Sequence, residues 1–253
     1  MSFIRDTWLV FGRYMWLFLR NPVWVIIGVI QPVFYLILFA PLLESIAKSP
    51  GFPAGGAYNV FVPGLLIQLG LFGASGVGFG LIAELRSGVI ERMRVTPVSR
   101  FALLLGRTLR DILIMVVQAL ILILLALPFG LSIHPLGIGL MLALLALLGL
   151  MMTPVSYAVA LWLRSEDSFA PLIFTVSLPL LLLSGVLLPL TFAPAWLRTI
   201  AAANPLAYAV DASRAIFNNQ LGDPSIGVAV AIMVVLASIA ISFAARAFGR
   251  AVA

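Results

Sequence analysis

The sequence predicts an all-α polytopic membrane protein with six transmembrane helices, and three observations support this fold class. Hydrophobic residues make up 63% of the 253 residues and charged residues only 9%, whereas soluble domains carry roughly 25% charged residues. Apolar runs long enough to cross about 30 Å of hydrocarbon recur along the chain. The 21 glycines and 16 prolines follow no strict period, which excludes a fibrous protein.

The charge and cysteine content exclude further classes. The chain has no cysteine, so disulfides and cysteine-ligated metal centres are excluded. The formal net charge is +6, but the cations lie between apolar runs rather than on a soluble face. We therefore interpret the basic excess as membrane topology and expect no nucleic-acid partner.

Residues 1–22 predict an amphipathic helix that lies in the membrane interface. At about 100° per residue, one arc of this helix collects four charged residues: Arg5, Asp6, Arg13 and Arg20. We expect this arc to face the cytoplasm and anionic lipid headgroups. The arginines interrupt the apolar run and no small-residue cleavage site follows, which excludes a signal peptide. Asn21-Pro22 then turns the chain into the bilayer.

Residues 23–253 predict a single transmembrane domain. Its six spans are expected at about 23–43, 60–83, 108–130, 135–162, 168–190 and 225–245. Pro154 predicts a kink in the fourth span. Twelve of the 15 Lys and Arg residues fall on one side of these spans, the exceptions being Lys48, Arg198 and Arg214. The positive-inside rule then places both termini in the cytoplasm.

The predicted spans carry only mild polar residues near their centres, which argues against a buried proton relay. Gln118, Ser75 and Ser156 belong to a set expected to form hydrogen bonds between helices. Gly76 and Gly80 in the second span form a small-xxx-small pair. This spacing predicts close packing against another helix, with hinge motion as the alternative.

The cytoplasmic segment after the second span predicts a short charged helix. Gly88 marks a break, Ile90–Val95 can form a helix, and Thr96-Pro97 ends it. Ser99 can cap the helix that leads into the third span. Such a helix could transmit motion between two spans, or it could be an ordinary arginine-rich loop.

No catalytic or nucleotide-binding motif is present in the sequence. A phosphate-binding loop requires a lysine after its glycines, and the only lysine is Lys48, predicted to lie on the outer side. The single histidine, His134, precedes Pro135 in a short outer turn. We therefore expect no enzymatic activity and no cofactor on this chain, so that any ATP-driven work requires an ATPase on another chain.

The segment between the fifth and sixth spans predicts a re-entrant hairpin in the outer leaflet. Four breaks keep it from forming a spanning helix: Gly185, Pro189, Pro194 and Pro205. Trp196 would lie at the headgroup level. Leu206–Gln220 then predicts a helix near the membrane surface, on which Asp211 and Arg214 can form a local salt bridge.

Two stretches resemble the type-2 ATP-binding-cassette (ABC-2) exporter permeases. The first is GVIERMRVTPVSR at Gly88–Arg100. The second is LLSGVLLPL at Leu182–Leu190, followed by APAWLRTIAAANPLAYAVDASRAI at Ala193–Ile216. The resemblance covers essentially the whole chain and points to the branch of small drug-resistance (daunorubicin-exporter-like) and nodulation-factor-exporter-like permeases.

The resemblance implies a homodimer in a bacterial plasma membrane, with two cytoplasmic ABC ATPase subunits that bind the ATP and Mg. It implies a coupling helix that docks in the ATPase, formed by Glu91, Arg92, Met93, Arg94, Thr96 and Pro97, with Arg5 and Arg13 as weaker candidates. The implied substrate path contains Gln31, Tyr35, Gln68 and Phe72. The implied outer gate contains Gly185, Pro189, Trp196, Asp211 and Arg214.

The function expected from these features is export of a hydrophobic or amphipathic substrate, such as a drug or lipid-like molecule. An alternative within the same fold is export of a polysaccharide or glycolipid. A membrane-embedded lipid-modifying enzyme is an alternative from another class, for which Glu166-Asp167 is the sole acidic pair at the membrane face. A passive scaffold or channel is a further alternative.

Overall fold

The structure, a computed structural model, describes residues 3–21, 23–47, 56–94, 98–132 and 134–251, and within these ranges it contains helices and turns but no strand. The helices are α1 (Phe3–Leu19), α2 (Val23–Phe34), a π-helical segment (Tyr35–Phe39), α3 (Ala40–Ile46), α4 (Gly56–Gly76), α5 (Gly78–Arg86), α6 (Val89–Arg94), α7 (Arg100–Ala126), α8 (Pro135–Leu163), α9 (Glu166–Leu182), α10 (Ala195–Ala201), α11 (Pro205–Phe217) and α12 (Pro224–Ala251). Short 3₁₀ turns follow α7 at Leu127–Phe129 and precede α10 at Leu190–Phe192.

Four helical stretches among the described residues are long and apolar enough to cross a membrane: Gly56–Arg86, Arg100–Phe129, Pro135–Leu163 and Pro224–Gly249. Val25–Phe39 is a shorter apolar helix, and α9 has 17 residues. The all-α membrane class is therefore confirmed. The first and fifth predicted spans correspond to these shorter helices.

Contacts between helices fix their relative directions. A Cβ added at Gly70 would meet Leu148, and one at Gly78 would meet Ala160, so α4–α5 runs parallel to α8. Glu84 pairs with Arg107 and Asn59 with Ser132, so α7 runs antiparallel to α4–α5. The ends of these helices therefore lie in two layers, one at each end of the helix bundle. One layer contains α6, and the opposite layer contains Ser132.

The largest apolar core lies between α4, α8, α11 and α12, and includes Leu66, Leu145, Val210 and Met233. The helix expected at 206–220 is confirmed in the structure as α11, and residues on most sides of it are buried against other helices, whereas its position near the membrane surface stays a prediction. Its alanines, at 207, 209, 212 and 215, are small enough to let α4 and α12 approach closely.

The prediction that Gly76 and Gly80 pack against a neighbouring helix is wrong within the described part of the chain. A Cβ at either position would meet nothing within 4 Å. The close approaches occur instead at Gly70, where an added Cβ would lie 2.6 Å from Leu148, and at Gly78, where an added Cβ would lie 2.3 Å from the ring of Phe169. Helix α4 also ends at Gly76, which separates it from α5.

Helix α1 differs in one respect from the predicted amphipathic helix. Arg5, Arg13 and Arg20 are exposed as expected, but Asp6 is buried together with Thr7, Val10 and Tyr14. This buried face packs on α7, where a Cβ at Gly106 would come within 2.8 Å of the Thr7 carbonyl oxygen. Besides its exposed charged face and its exposed apolar face, α1 thus has a face that is buried against α7, which the charge pattern does not reveal.

Candidate functional site

Helix α6 connects α5 to α7 and matches the predicted short helix at 90–95 within one or two residues. Gly88 has φ +69°, a conformation that favours glycine, and it breaks the chain between α5 and α6 as predicted. The predicted cap is confirmed, because the Ser99 side chain accepts a hydrogen bond from the backbone N–H of Ala102.

One side of α6 is anchored and the other is exposed. Ile90 is buried in an apolar cluster that includes Ile82 of α5, Leu104 of α7 and Phe248 of α12. Arg92 is exposed and donates to the Ser87 carbonyl oxygen at 3.4 Å. Among the other predicted coupling residues, Glu91, Met93 and Arg94 belong to α6 by their backbone only, and Thr96 and Pro97 lie outside the described residues.

A charged cluster lies at the same end of the helices, formed by Tyr14, Glu84, Arg107, Arg110, Asp111 and Tyr157. In its first half, Arg107 of α7 donates to the Glu84 carboxylate of α5 and to the Tyr14 hydroxyl of α1. The Tyr14 hydroxyl donates to Glu84 Oε2 at 2.8 Å. Burial raises the pKa of Tyr14, so this hydroxyl keeps the proton that it donates.

The second half of the charged cluster joins α7 to α8. Arg110 pairs with Asp111 at 3.1 Å, and the Tyr157 hydroxyl donates to Asp111. Two cations and two anions thus balance within the cluster. Arg107 and Asp111 are only 2% and 4% exposed, and buried charges are tolerated where they are paired in this way.

The sequence interpretation missed this cluster, because it assigned Arg107 and Arg110 to the cytoplasmic charge bias. A signal was available in the helical period. Arg107 and Asp111 are four residues apart on the stripe of α7 that also carries Leu104 and Met115, and such a stripe faces the core. Charged residues within an apolar stripe are expected to have buried partners.

At the opposite layer, the predicted gate residues Gly185 and Arg214 are in contact. The guanidinium of Arg214 donates to the Gly185 carbonyl oxygen at 2.7 Å and to the Val60 carbonyl oxygen at 3.0 Å. Gly185 has φ +76°, so the turn after α9 depends on it. Burial lowers the pKa of Arg214 to about 10, which leaves the side chain charged at neutral pH.

The predicted local salt bridge between Asp211 and Arg214 is not formed within the described residues, where the ion pairs are Arg86–Glu166, Arg107–Glu84 and Arg110–Asp111. Arg214 is directed at backbone carbonyl groups instead, whereas the Asp211 side chain is exposed. Pro189 is buried and Trp196 is 65% exposed. The structure thus brings together two of the five predicted gate residues.

The predicted path residues do not share one surface in this conformation. Gln31 of α2 is exposed, Tyr35 and Phe72 are half-buried, and Gln68 of α4 is 1% exposed with no hydrogen-bond partner for its amide among the described residues. Gln118 and Ser156 do form the expected bonds between helices, to the carbonyl oxygens of Val25 and Ser75.

An apolar groove of about 210 Å³ lies beside α2. It is lined by Val25, Ile26, Val29, Ile30, Val33, Phe34 and Ile121. In the described part of the chain, His, Asp and Glu side chains form no group of three that could hold a metal.

Comparisons with known proteins agree on one family. The sequence profile described as ABC-2 type transporter matches residues 5–218. The transport permease ycf38 of Pyropia yezoensis is 32% identical over 208 residues, which cover 79% of this chain and 69% of that protein. The ycf38 permease of Cyanophora paradoxa is 28% identical, covering 86% of this chain and 76% of that protein.

A bacterial relative is named for drug resistance. The daunorubicin resistance ABC transporter permease protein DrrB1 of Streptomyces coeruleorubidus is 25% identical over 230 residues, which cover 87% of this chain and 77% of that protein. The relatives are permeases by name, and the resemblance stated from the two sequence stretches is confirmed.

Proposed function

The chain belongs to the ABC-2 type transporter family and is a transmembrane permease of an ABC transporter, and on that premise we propose that it is the membrane subunit of an ATP-driven exporter. It moves a hydrophobic or amphipathic molecule, drug-like or lipid-like, out of the cytoplasm or the inner leaflet. The relative named for daunorubicin resistance supports this substrate class.

The position of α6 is the observation that carries the proposal. It is a short helix between two long apolar helical stretches, Gly56–Arg86 and Arg100–Phe129. Its apolar side is anchored through Ile90, and its charged side is exposed at Arg92. A rigid element that is fixed to both neighbours and exposed on its outer side can convert a partner's movement into movement of both spans.

The partner is a cytoplasmic ABC ATPase that binds the ATP and Mg, with two copies per pair of permease chains. In this assembly the permease is a homodimer with six spans per chain and both termini in the cytoplasm of a bacterial inner membrane. Nucleotide binding favours one conformer of the ATPase, and α6 passes that preference to the permease.

The substrate meets the faces of α2, the π-helical segment and α4 that carry Gln31, Tyr35 and Phe72, respectively. The groove beside α2 is apolar along its whole lining, which suits an acyl chain or a fused aromatic ring system. Gln68 is buried in this conformation, so its contact with substrate requires a change in packing between α4 and its neighbours.

The test is co-purification with candidate ATPase subunits, followed by vanadate-sensitive ATP hydrolysis in liposomes. Glu91→Ala and Arg94→Ala are expected to reduce the hydrolysis stimulated by the permease, because both lie on the docking helix. Arg198→Ala is a matched control, since Arg198 is exposed in the opposite layer, and it is expected to leave hydrolysis unchanged.

Two results would contradict the proposal. One is full stimulation in both α6 variants. The other is transport activity in liposomes that contain the permease and no ATPase.

A further inference from the structure

The charged cluster places the interfacial helix α1 in direct contact with both helices that flank α6. Glu84 lies near the end of α5, four residues before Gly88, and Arg107 lies about two turns into α7. Their ion pair joins the two ends of the segment 84–107, which contains α6. The Tyr14 hydroxyl bonds to both partners of that pair, so α1 is bonded to α5 and α7 at one point.

A second contact holds α1 against α7. A Cβ at Gly106 would lie 2.8 Å from the Thr7 carbonyl oxygen and from Val10, so backbone meets backbone there. The guanidinium carbon of Arg107 also lies 4.4 Å from the centroid of the Tyr14 ring, within the range of a cation–π contact. Two contact points on adjacent residues of α7 restrain both the position and the rotation of α1.

We infer that Tyr14, Glu84 and Arg107 form a mechanical link through which a displacement of α5 and α6 carries α1 with it. Tyr14 and Arg107 are positioning residues in this assignment, because they act through the helices that they join. The inference rests on the proposed function for the origin of the displacement. The link itself is a property of this chain alone and can be measured without an ATPase.

The chain has no cysteine, so a pair of introduced cysteines can be spin-labelled without removing native thiols. Gly12→Cys on α1 and Ala83→Cys on α5 are suitable sites, since both positions are exposed and a Cβ at Gly12 meets nothing within 4 Å. In lipid nanodiscs we expect a single narrow distance distribution between the two labels.

Tyr14→Phe removes one hydroxyl and retains the ring that packs with Val10 and Leu103. We expect it to broaden the distance distribution, as Arg107→Gln does, and we expect Arg107→Lys to restore part of the narrow distribution because it retains the cation. Arg86→Gln breaks the exposed Arg86–Glu166 pair and is the control that leaves the distribution unchanged.

A narrow distribution in both Tyr14→Phe and Arg107→Gln overturns the inference, and so does equal broadening in Arg86→Gln.

A second measurement adds the co-purified ATPase trapped with vanadate, and it follows the distance from each label to a third label at Gln220→Cys. In the wild-type background both labels are expected to shift, and in Tyr14→Phe only the α5 label. A shift of the α1 label that persists in Tyr14→Phe overturns the inference. Failure to recover any ATPase contradicts the proposed function. The first distance measurement in nanodiscs needs no ATPase, so it still tests whether Tyr14, Glu84 and Arg107 link α1 to α5.

Discussion

At the scale of single residues, buried charge is the feature that governs this molecule. Arg107 and Asp111 lie among apolar side chains of α7. The charge of Arg107 is compensated by Glu84 of α5, and that of Asp111 by its neighbour Arg110, with a hydrogen bond from the Tyr157 hydroxyl of α8. In low dielectric surroundings a paired charge contributes little net stability, but removal of its partner leaves an uncompensated charge at high cost. The Arg107–Glu84 pair and the Tyr157–Asp111 hydrogen bond therefore specify which helices lie together more than they add to the total free energy of folding.

Glu84→Gln tests this description of the cluster. The variant leaves the Arg107 guanidinium buried without its counter-charge, so the free energy of unfolding is expected to fall by up to about 3–5 kcal/mol. Denaturant titration in mixed micelles, followed by circular dichroism, measures the change. Arg86→Gln removes the exposed pair with Glu166 and is expected to cost about 0–1 kcal/mol. Equal losses in the two variants would show that Arg107 is not buried as described.

Two glycines of the second predicted span, Gly76 and Gly78, provide matched positions at which the packing between helices can be tested by substitution. A Cβ at Gly78 would lie 2.3 Å from the Phe169 ring and 3.0 Å from Ala160, so Gly78→Ala is expected to destabilise by about 1–3 kcal/mol. A Cβ at Gly76 meets nothing within 4 Å, and Gly76→Ala is expected to stay within about 0.5 kcal/mol of wild type. Thermal unfolding in detergent compares them, and the reverse ranking would contradict the packing of α5 on α9.

At the scale of helices, α11 holds the opposite layer together. It packs between α4 and α12 through a row of alanines, and its Arg214 reaches the end of α4 and the turn after α9. Asn204 at its start donates to the Leu180 carbonyl oxygen at 2.7 Å. The helix therefore fixes the turn that precedes the predicted hairpin.

Arg214→Gln is expected to loosen this turn, because the carbonyl oxygens of Val60 and Gly185 lose their donor at about 1–3 kcal/mol each. Hydrogen exchange is expected to rise in residues 183–189 and to remain unchanged in α6. Arg214→Lys retains the charge but not the fork of donors, so an intermediate exchange rate is expected. Arg198→Gln is the exposed control in the same layer. If Arg198→Gln and Arg214→Gln show equal hydrogen exchange in residues 183–189, the hydrogen bonds of Arg214 do not hold this turn in place.

At the scale of the whole molecule, apolar run length and turn residues predicted the all-α class and several of its helices, while four of the six predicted spans correspond to helical stretches of membrane-spanning length. The runs around 108–130 and 135–162, the break at Gly88 and the cap at Ser99 all appear in the structure. The partners of Arg107 and Arg214 and the burial of Asp6 could not be predicted, because each is set by contact with an element distant in sequence. Hydropathy records how apolar a helix is on average, and it does not record which face meets which neighbour.

The two layers predict the sidedness of the chain in cells. Arg92→Cys on α6 and Gln220→Cys before α12 are both exposed positions in opposite layers. In intact cells, a membrane-impermeant maleimide is expected to label Gln220→Cys, and to label Arg92→Cys only after permeabilisation. The unmodified chain, which has no cysteine, is the blank. Labelling of Arg92→Cys in intact cells would reverse the proposed orientation.

The contact between α1 and α7 also has a consequence for biosynthesis. Tyr14 and Arg107 are separated by 93 positions in the chain, and a ribosome adds about 5–20 residues per second. Tyr14 is therefore synthesised about 5–19 seconds before Arg107. Ile4, Trp8 and Trp16 are exposed apolar side chains of α1 and are suited to hold such a helix at a bilayer surface, so we expect docking of α1 on α7 to be a late step in assembly.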